Sequence, residues 1–128
     1  THLNYVGVLA LELFVVDNKL LANEFAPRVH NSGHWTIEGS VTSQFENHLR
    51  AILDMPLGDT TLLGASGMLN IIGTMPQDSE LLYNPSVNLH DYGKEARTNR
   101  KLGHLTIVAE NSASRDRQLK ELAKYLNN

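Results

Sequence analysis

Two glutamates sit in the most apolar part of the chain. Glu12 lies inside 5-YVGVLALELFVV-16, and Glu24 follows a second apolar run, with Asp17-Asn18-Lys19 between the two. If those three residues form the turn of a hairpin, Val16 faces Leu20 and Glu12 falls directly across from Glu24. Opposed side chains leave the same sheet face roughly 5 Å apart at Cβ. Two bare carboxylates at that spacing repel by on the order of 3 kcal/mol at an effective dielectric of 20. Protonation of one acid, an intervening base or a bound cation relieves that repulsion. Asn23 adds a third oxygen beside Glu24, and hard oxygen donors of this kind suit magnesium held together with substrate phosphates. The competing reading is a surface hairpin with solvated acids, or a slip of register that parts them.

The segment that follows, 23-NEFAPRVHNSGHWT-36, places Arg28, His30, Asn31 and His34 on a loop containing Pro27 and Gly33. Arg28 carries a planar donor array suited to phosphoryl or carboxylate oxygens. His30 suits hydrogen-bond donation or proton movement near neutral pH. The plainer alternative is a pair of ordinary loop histidines. Zinc at His30 and His34 is disfavoured, because Pro27 and Gly33 argue against the helix that would put an i, i+4 pair on one face.

The elements around these residues follow from apolar periodicity. Residues 5–16 read as a buried strand and 20–25 as its return, stopped by Pro27. A polar loop spans 28–40. Helix is expected over 43–53, where Ser43 and Glu46 have capping-box spacing and Phe45, Leu49 and Ile52 share a face. The turn-rich 56–67 stretch marks a seam, giving domains at 1–57 and 58–128. Beyond it, 68–73, 86–92 and 102–109 are expected strands, 78–83 a short helical turn and 115–126 an amphipathic helix. The fold class is therefore α+β, with a hairpin-plus-helix front and a strand-rich back.

Composition narrows the function classes. A net charge of −3 gives no general attraction to nucleic acid or anionic membrane. With no cysteine among 128 residues there is neither a disulfide framework nor a thiolate metal site, which fits a reducing cytoplasm. The apolar runs stop short of the roughly 20 residues that span a bilayer. The chain opens without methionine and runs almost at once into strand-like sequence, as a piece of something longer would.

The glutamate pair, the Asn-Glu step and the string NEFAPRVHNSGHWT, followed by TSQFENHLRAIL and 100-RKLGHLTI-107, resemble the ATP-grasp ligases. Within them the likeness is to the branch that carboxylates an aminoimidazole ribonucleotide in purine biosynthesis. The resemblance implies ATP and magnesium as cofactors, with Glu12 and Glu24 as metal ligands and Asn23 and Glu24 at the nucleotide site. Arg28 would stabilise the transferring phosphoryl group and the carboxyphosphate made from bicarbonate. His30 would line the same pocket, where carbon dioxide meets the amine of 5-aminoimidazole ribonucleotide, and Asn31, Ser32 and His34 would shape the loop. Lys94, Arg100 and Lys101, in 94-KEARTNRK-101, would hold the ribonucleotide 5′-phosphate, with Arg97 a weaker choice. The chain would then be the C-terminal part of an ATP-grasp lobe plus a small C-terminal domain, inactive alone and homodimeric in the intact, cytoplasmic enzyme. Two other readings stay open: another ATP-grasp carboxylase or ligase, and a non-catalytic phosphate-binding or dimerisation module.

Overall fold

The computed structural model describes residues 3–77, 81 and 83–126. It divides into two compact units, Thr1–Thr61 and Leu62–Asn128.

In the first unit, β1 (Ala10–Val16) and β2 (Lys19–Ala26) form an antiparallel hairpin. The turn has two residues rather than the expected three. Asp17 and Asn18 both take left-handed φ, 48° and 58°, as a type I′ turn requires, and both residue types tolerate that conformation. Val16 therefore faces Lys19, not Leu20. The expected burial of residues 5–16 also fails. Strand begins only at Ala10, because Tyr5 bonds the Val8 carbonyl and His48 Nδ1 accepts from the Val8 amide at 3.0 Å. Within β1 and β2, Leu11, Phe14, Val15, Leu20 and Phe25 are all at least half exposed. A sheet of two strands has no second layer to bury its faces.

Beyond Pro27, the expected 28–40 loop contains a single 3₁₀ turn, Asn31–Gly33, and a short helix α1 (Thr36–Gly39). Helix α2 (Gln44–Ile52) begins where the capping box predicts, with Ser43 Oγ accepting from the Glu46 amide at 3.2 Å. Leu49 and Ile52 on its apolar face are exposed.

The second unit holds the buried core. Strands β3 (Ala65–Ile72), β4 (Asn88–Asp91) and β5 (Lys101–Ala109) form an antiparallel sheet in the order β3-β5-β4. The terminal helix α3 (Ser112–Leu126) packs against β3 and β5. It starts three residues before the expected point because Asn111 Oδ1 accepts from the Ser114 amide at 2.9 Å, an N-cap that apolar periodicity cannot register. Ile71, Leu102, Leu105, Ile107 and Leu122 are almost wholly buried, with Leu119 packed beside them. Gly67 is what lets α3 approach: a Cβ there would lie 2.7 Å from Leu119 Cδ1. β4 is shorter than the expected 86–92. Most of the expected helical turn at 78–83 lies outside the described residues.

Candidate functional site: two facing glutamates and a histidine loop

The hairpin register decides the site. With a two-residue turn, a regular ladder would pair Glu12 with Asn23 and put Glu24 on the opposite face. It is not regular. Between Leu13, which faces Ala22, and Glu12, which faces Glu24, the ladder shifts by one residue. Asn23 is the extra residue of this β-bulge. Its side chain turns to the acids, Nδ2 donating to Glu12 Oε2 at 3.3 Å. The two glutamates thus face each other as expected, but through a different turn and a bulge.

The loop after Pro27 brings His30 to the same place. One donor atom each from Glu12, Glu24 and His30 lie within 4.8 Å of one another. His30 Nδ1 is 3.5 Å from Glu12 Oε1 and Nε2 is 3.7 Å from Glu24 Oε1, both too long for good hydrogen bonds. The imidazole is 9% exposed, against 34% for Glu12 and 46% for Glu24, so the ring forms the floor and the acids the open side. Two carboxylates at this separation fit one hard divalent cation, the carboxylates supplying charge and the open side leaving room for phosphate oxygens.

Arg28 donates to Glu24 Oε1 at 3.2 Å and to the Val29 carbonyl. Both partners of that ion pair are about half exposed, so holding it contributes little stability, and the guanidinium can turn to a bound anion at small cost. His30 caps the 3₁₀ turn, its Nδ1 accepting from the Ser32 amide at 3.3 Å and lying 2.8 Å from Ser32 Oγ. The structure thus brings together Glu12, Asn23, Glu24, Arg28 and His30. His34 lies apart from the acids, on Gln44 Nε2 at 2.8 Å and tilted against Phe45. Sequence reasoning passed over Gln44, which it treated only as helix; its position next to the cap residue was the available signal.

The basic turn belongs to the second unit. Lys94 Nζ sits 5.0 Å above the Tyr92 ring, and the Tyr92 hydroxyl is 2.8 Å from buried His104. Arg100 ties the turn through its backbone, donating to the Arg97 carbonyl and accepting from the Gly73 amide, while its side chain reaches the Glu95 carbonyl at 3.4 Å. Lys101 opens β5 opposite Ile72. Arg97 pairs with Glu95 at 3.1 Å and lines a shallow depression with Gly73, Thr74, Thr98 and Asn99.

Residues 1–45 match the ATP-grasp domain, and residues 66–118 match the phosphoribosylaminoimidazole carboxylase C-terminal domain. The front of the chain is thus similar to the ATP-grasp family. Among its curated relatives, N5-carboxyaminoimidazole ribonucleotide synthase of Vibrio cholerae is 51% identical over 98% of this chain and 33% of its own length. The synthase of Pseudomonas aeruginosa is 52% identical over 94% of this chain and 34% of its own. In three dimensions the chain resembles N5-carboxyaminoimidazole ribonucleotide synthetase from Thermus thermophilus (TM-score 0.91, 52% identity, 99% of this chain and 35% of that one). It also resembles the Aspergillus clavatus synthase in complex with ADP and 5-aminoimidazole ribonucleotide (TM-score 0.84, 38% identity, 94% and 35%). The chain spans about a third of the length of these relatives.

Proposed function

We propose that the chain forms the C-terminal third of an ATP-dependent ligase. The intact enzyme carboxylates 5-aminoimidazole ribonucleotide with bicarbonate through carboxyphosphate, releasing ADP and phosphate. One observation carries the reading: a bulged hairpin sets Glu12 and Glu24 face to face beside His30, within the segment that matches the ATP-grasp domain.

Glu12 and Glu24 would hold magnesium, which when bound neutralises charge on the ATP phosphates. Asn23, drawn in by the bulge, orients Glu12. Arg28 leaves its exposed pairing with Glu24 and donates two parallel hydrogen bonds to the phosphoryl oxygens as charge spreads over them, where fixed donors contribute most. The buried imidazole of His30 closes the pocket floor and limits water around the reactive carboxyphosphate. Lys94, Arg100 and Lys101 take the ribonucleotide 5′-phosphate, with Lys94 steadied over Tyr92. The exposed apolar faces of β1 and β2 are covered by the rest of the polypeptide. The same reading makes the intact enzyme a cytoplasmic homodimer, which light scattering of the full-length protein checks.

The test is the substrate dependence of ATP hydrolysis by the full-length enzyme. ADP release should require both 5-aminoimidazole ribonucleotide and bicarbonate. Hydrolysis that ignores the ribonucleotide, or that needs a different acceptor, would point to another ATP-grasp ligase and overturn the assignment.

A further inference from the structure

One side chain holds the histidine loop together. Gln44 Oε1 accepts from the His30 amide at 3.0 Å, and Gln44 Nε2 donates to the His30 carbonyl at 2.7 Å. An amide N–H can only donate and a carbonyl can only accept, so this pair of contacts forces the orientation of the Gln44 amide. Its second N–H then points at His34 Nδ1, 2.8 Å away. Because that contact is a donation, His34 Nδ1 keeps its lone pair and the ring proton sits on Nε2.

The clamp is anchored from behind. The backbone N–H of Gln44 donates to Thr36 Oγ1 at 2.9 Å, and Thr36 Oγ1 donates to the Gly33 carbonyl at 2.6 Å. Gly33 lies flat against the Gln44 side chain, where a Cβ would come within 2.7 Å of Oε1. Any larger residue at 33 would push the amide off His30.

We infer that Gln44 is a positioning residue: by clamping both backbone groups of His30 and donating to His34, it sets the place of the His30 ring against the glutamate pair and the tautomer of His34. The inference rests on the proposed carboxylase reading, because it gives the His30 ring a task in that site. Gln44 itself touches neither acid. It acts through His30.

Gln44→Glu separates these effects, since it keeps side-chain length and the acceptor for the His30 amide while losing both donations. Two measurements on the full-length enzyme decide it. The first is ring-nitrogen NMR of ¹⁵N-histidine at about pH 8, above the ordinary histidine range, with His34 identified by the signals lost in His34→Asn. Wild type should show an unprotonated His34 Nδ1, and Gln44→Glu should move the proton onto Nδ1. The second is steady-state kinetics: kcat should fall by about tenfold or more while KM for ATP stays within about twofold, the pattern of a misplaced group rather than lost binding. Gln44→Leu should lose at least as much. An unchanged His34 tautomer in Gln44→Glu, or a kcat within about twofold of wild type, overturns the inference. If the wild-type enzyme shows no ribonucleotide-dependent turnover, the functional reading fails, and the tautomer measurement still decides the clamp.

Discussion

Replacing Glu24 with glutamine tests the metal assignment with almost no change of shape. In the absence of a cation the two acids are a liability: at a separation of 4.8 Å or less, their bare repulsion is about 3 kcal/mol at an effective dielectric of 20. Glu12 and Glu24 are a third to a half exposed, so water screens most of this and under about 1 kcal/mol survives. Glu24→Gln should therefore leave the cation-free enzyme as stable as wild type, or more stable by less than about 1 kcal/mol, after allowing for the lost Arg28 pair. Turnover should move the other way. If the pair holds the metal, removing one of its two anionic ligands weakens stabilisation of the charge spreading over the phosphoryl group, and a loss of about 3 kcal/mol there is a roughly 100-fold fall in kcat/KM. The assay pairs ADP release at saturating ribonucleotide and bicarbonate with melting curves taken with and without magnesium nucleotide. Wild type should gain thermal stability from magnesium nucleotide and Glu24→Gln should not. Turnover within about threefold of wild type, with the magnesium-dependent shift in melting intact, would refute the assignment.

Three further outcomes follow from other parts of the molecule. Arg100→Ala should raise KM for the ribonucleotide by about tenfold or more with kcat nearly unchanged, since a charge-assisted contact to phosphate contributes about 1.5–3 kcal/mol; an unchanged KM removes Arg100 from the phosphate site. Leu102 is fully buried in the second unit, so Leu102→Ala should cost about 2–5 kcal/mol in chemical denaturation. Asp59 accepts from the Thr61 hydroxyl at 2.7 Å and the Thr61 amide at 2.9 Å, and these bonds hold its carboxyl below the usual aspartate range. Its folded value lies below the unfolded one, so its contribution to stability is present above the ordinary aspartate pKa and is lost as pH falls through the lowered value. Thr61→Val should raise the Asp59 titration midpoint in a carboxyl NMR titration.

Glu12 and Glu24 show how a correct conclusion can rest on an incorrect count. A three-residue turn predicts their opposition by simple arithmetic. The chain reaches the same opposition with a two-residue turn and one extra residue in β2. A bulge leaves no mark on apolar alternation, because it is a local backbone deviation and not a change of residue type. Burial was likewise hidden. The apolar run 5–16 has the composition of a core strand, yet burial requires a second layer, and composition does not say whether one is there.

By itself the sequence determined the residue types able to do chemistry, the Ser43–Glu46 helix start, the strands flanking the basic turn, and the amphipathic helix at the end. These are local properties, set by capping, periodicity and turn residues acting over a few positions. Only the tertiary structure decided the hairpin register, the arrival of His30 beside the glutamates, and the grip of Gln44 on the loop. His30 and Gln44 are fourteen positions apart and joined by hydrogen bonds. Which partners such polar groups choose depends on where the backbone has already been folded.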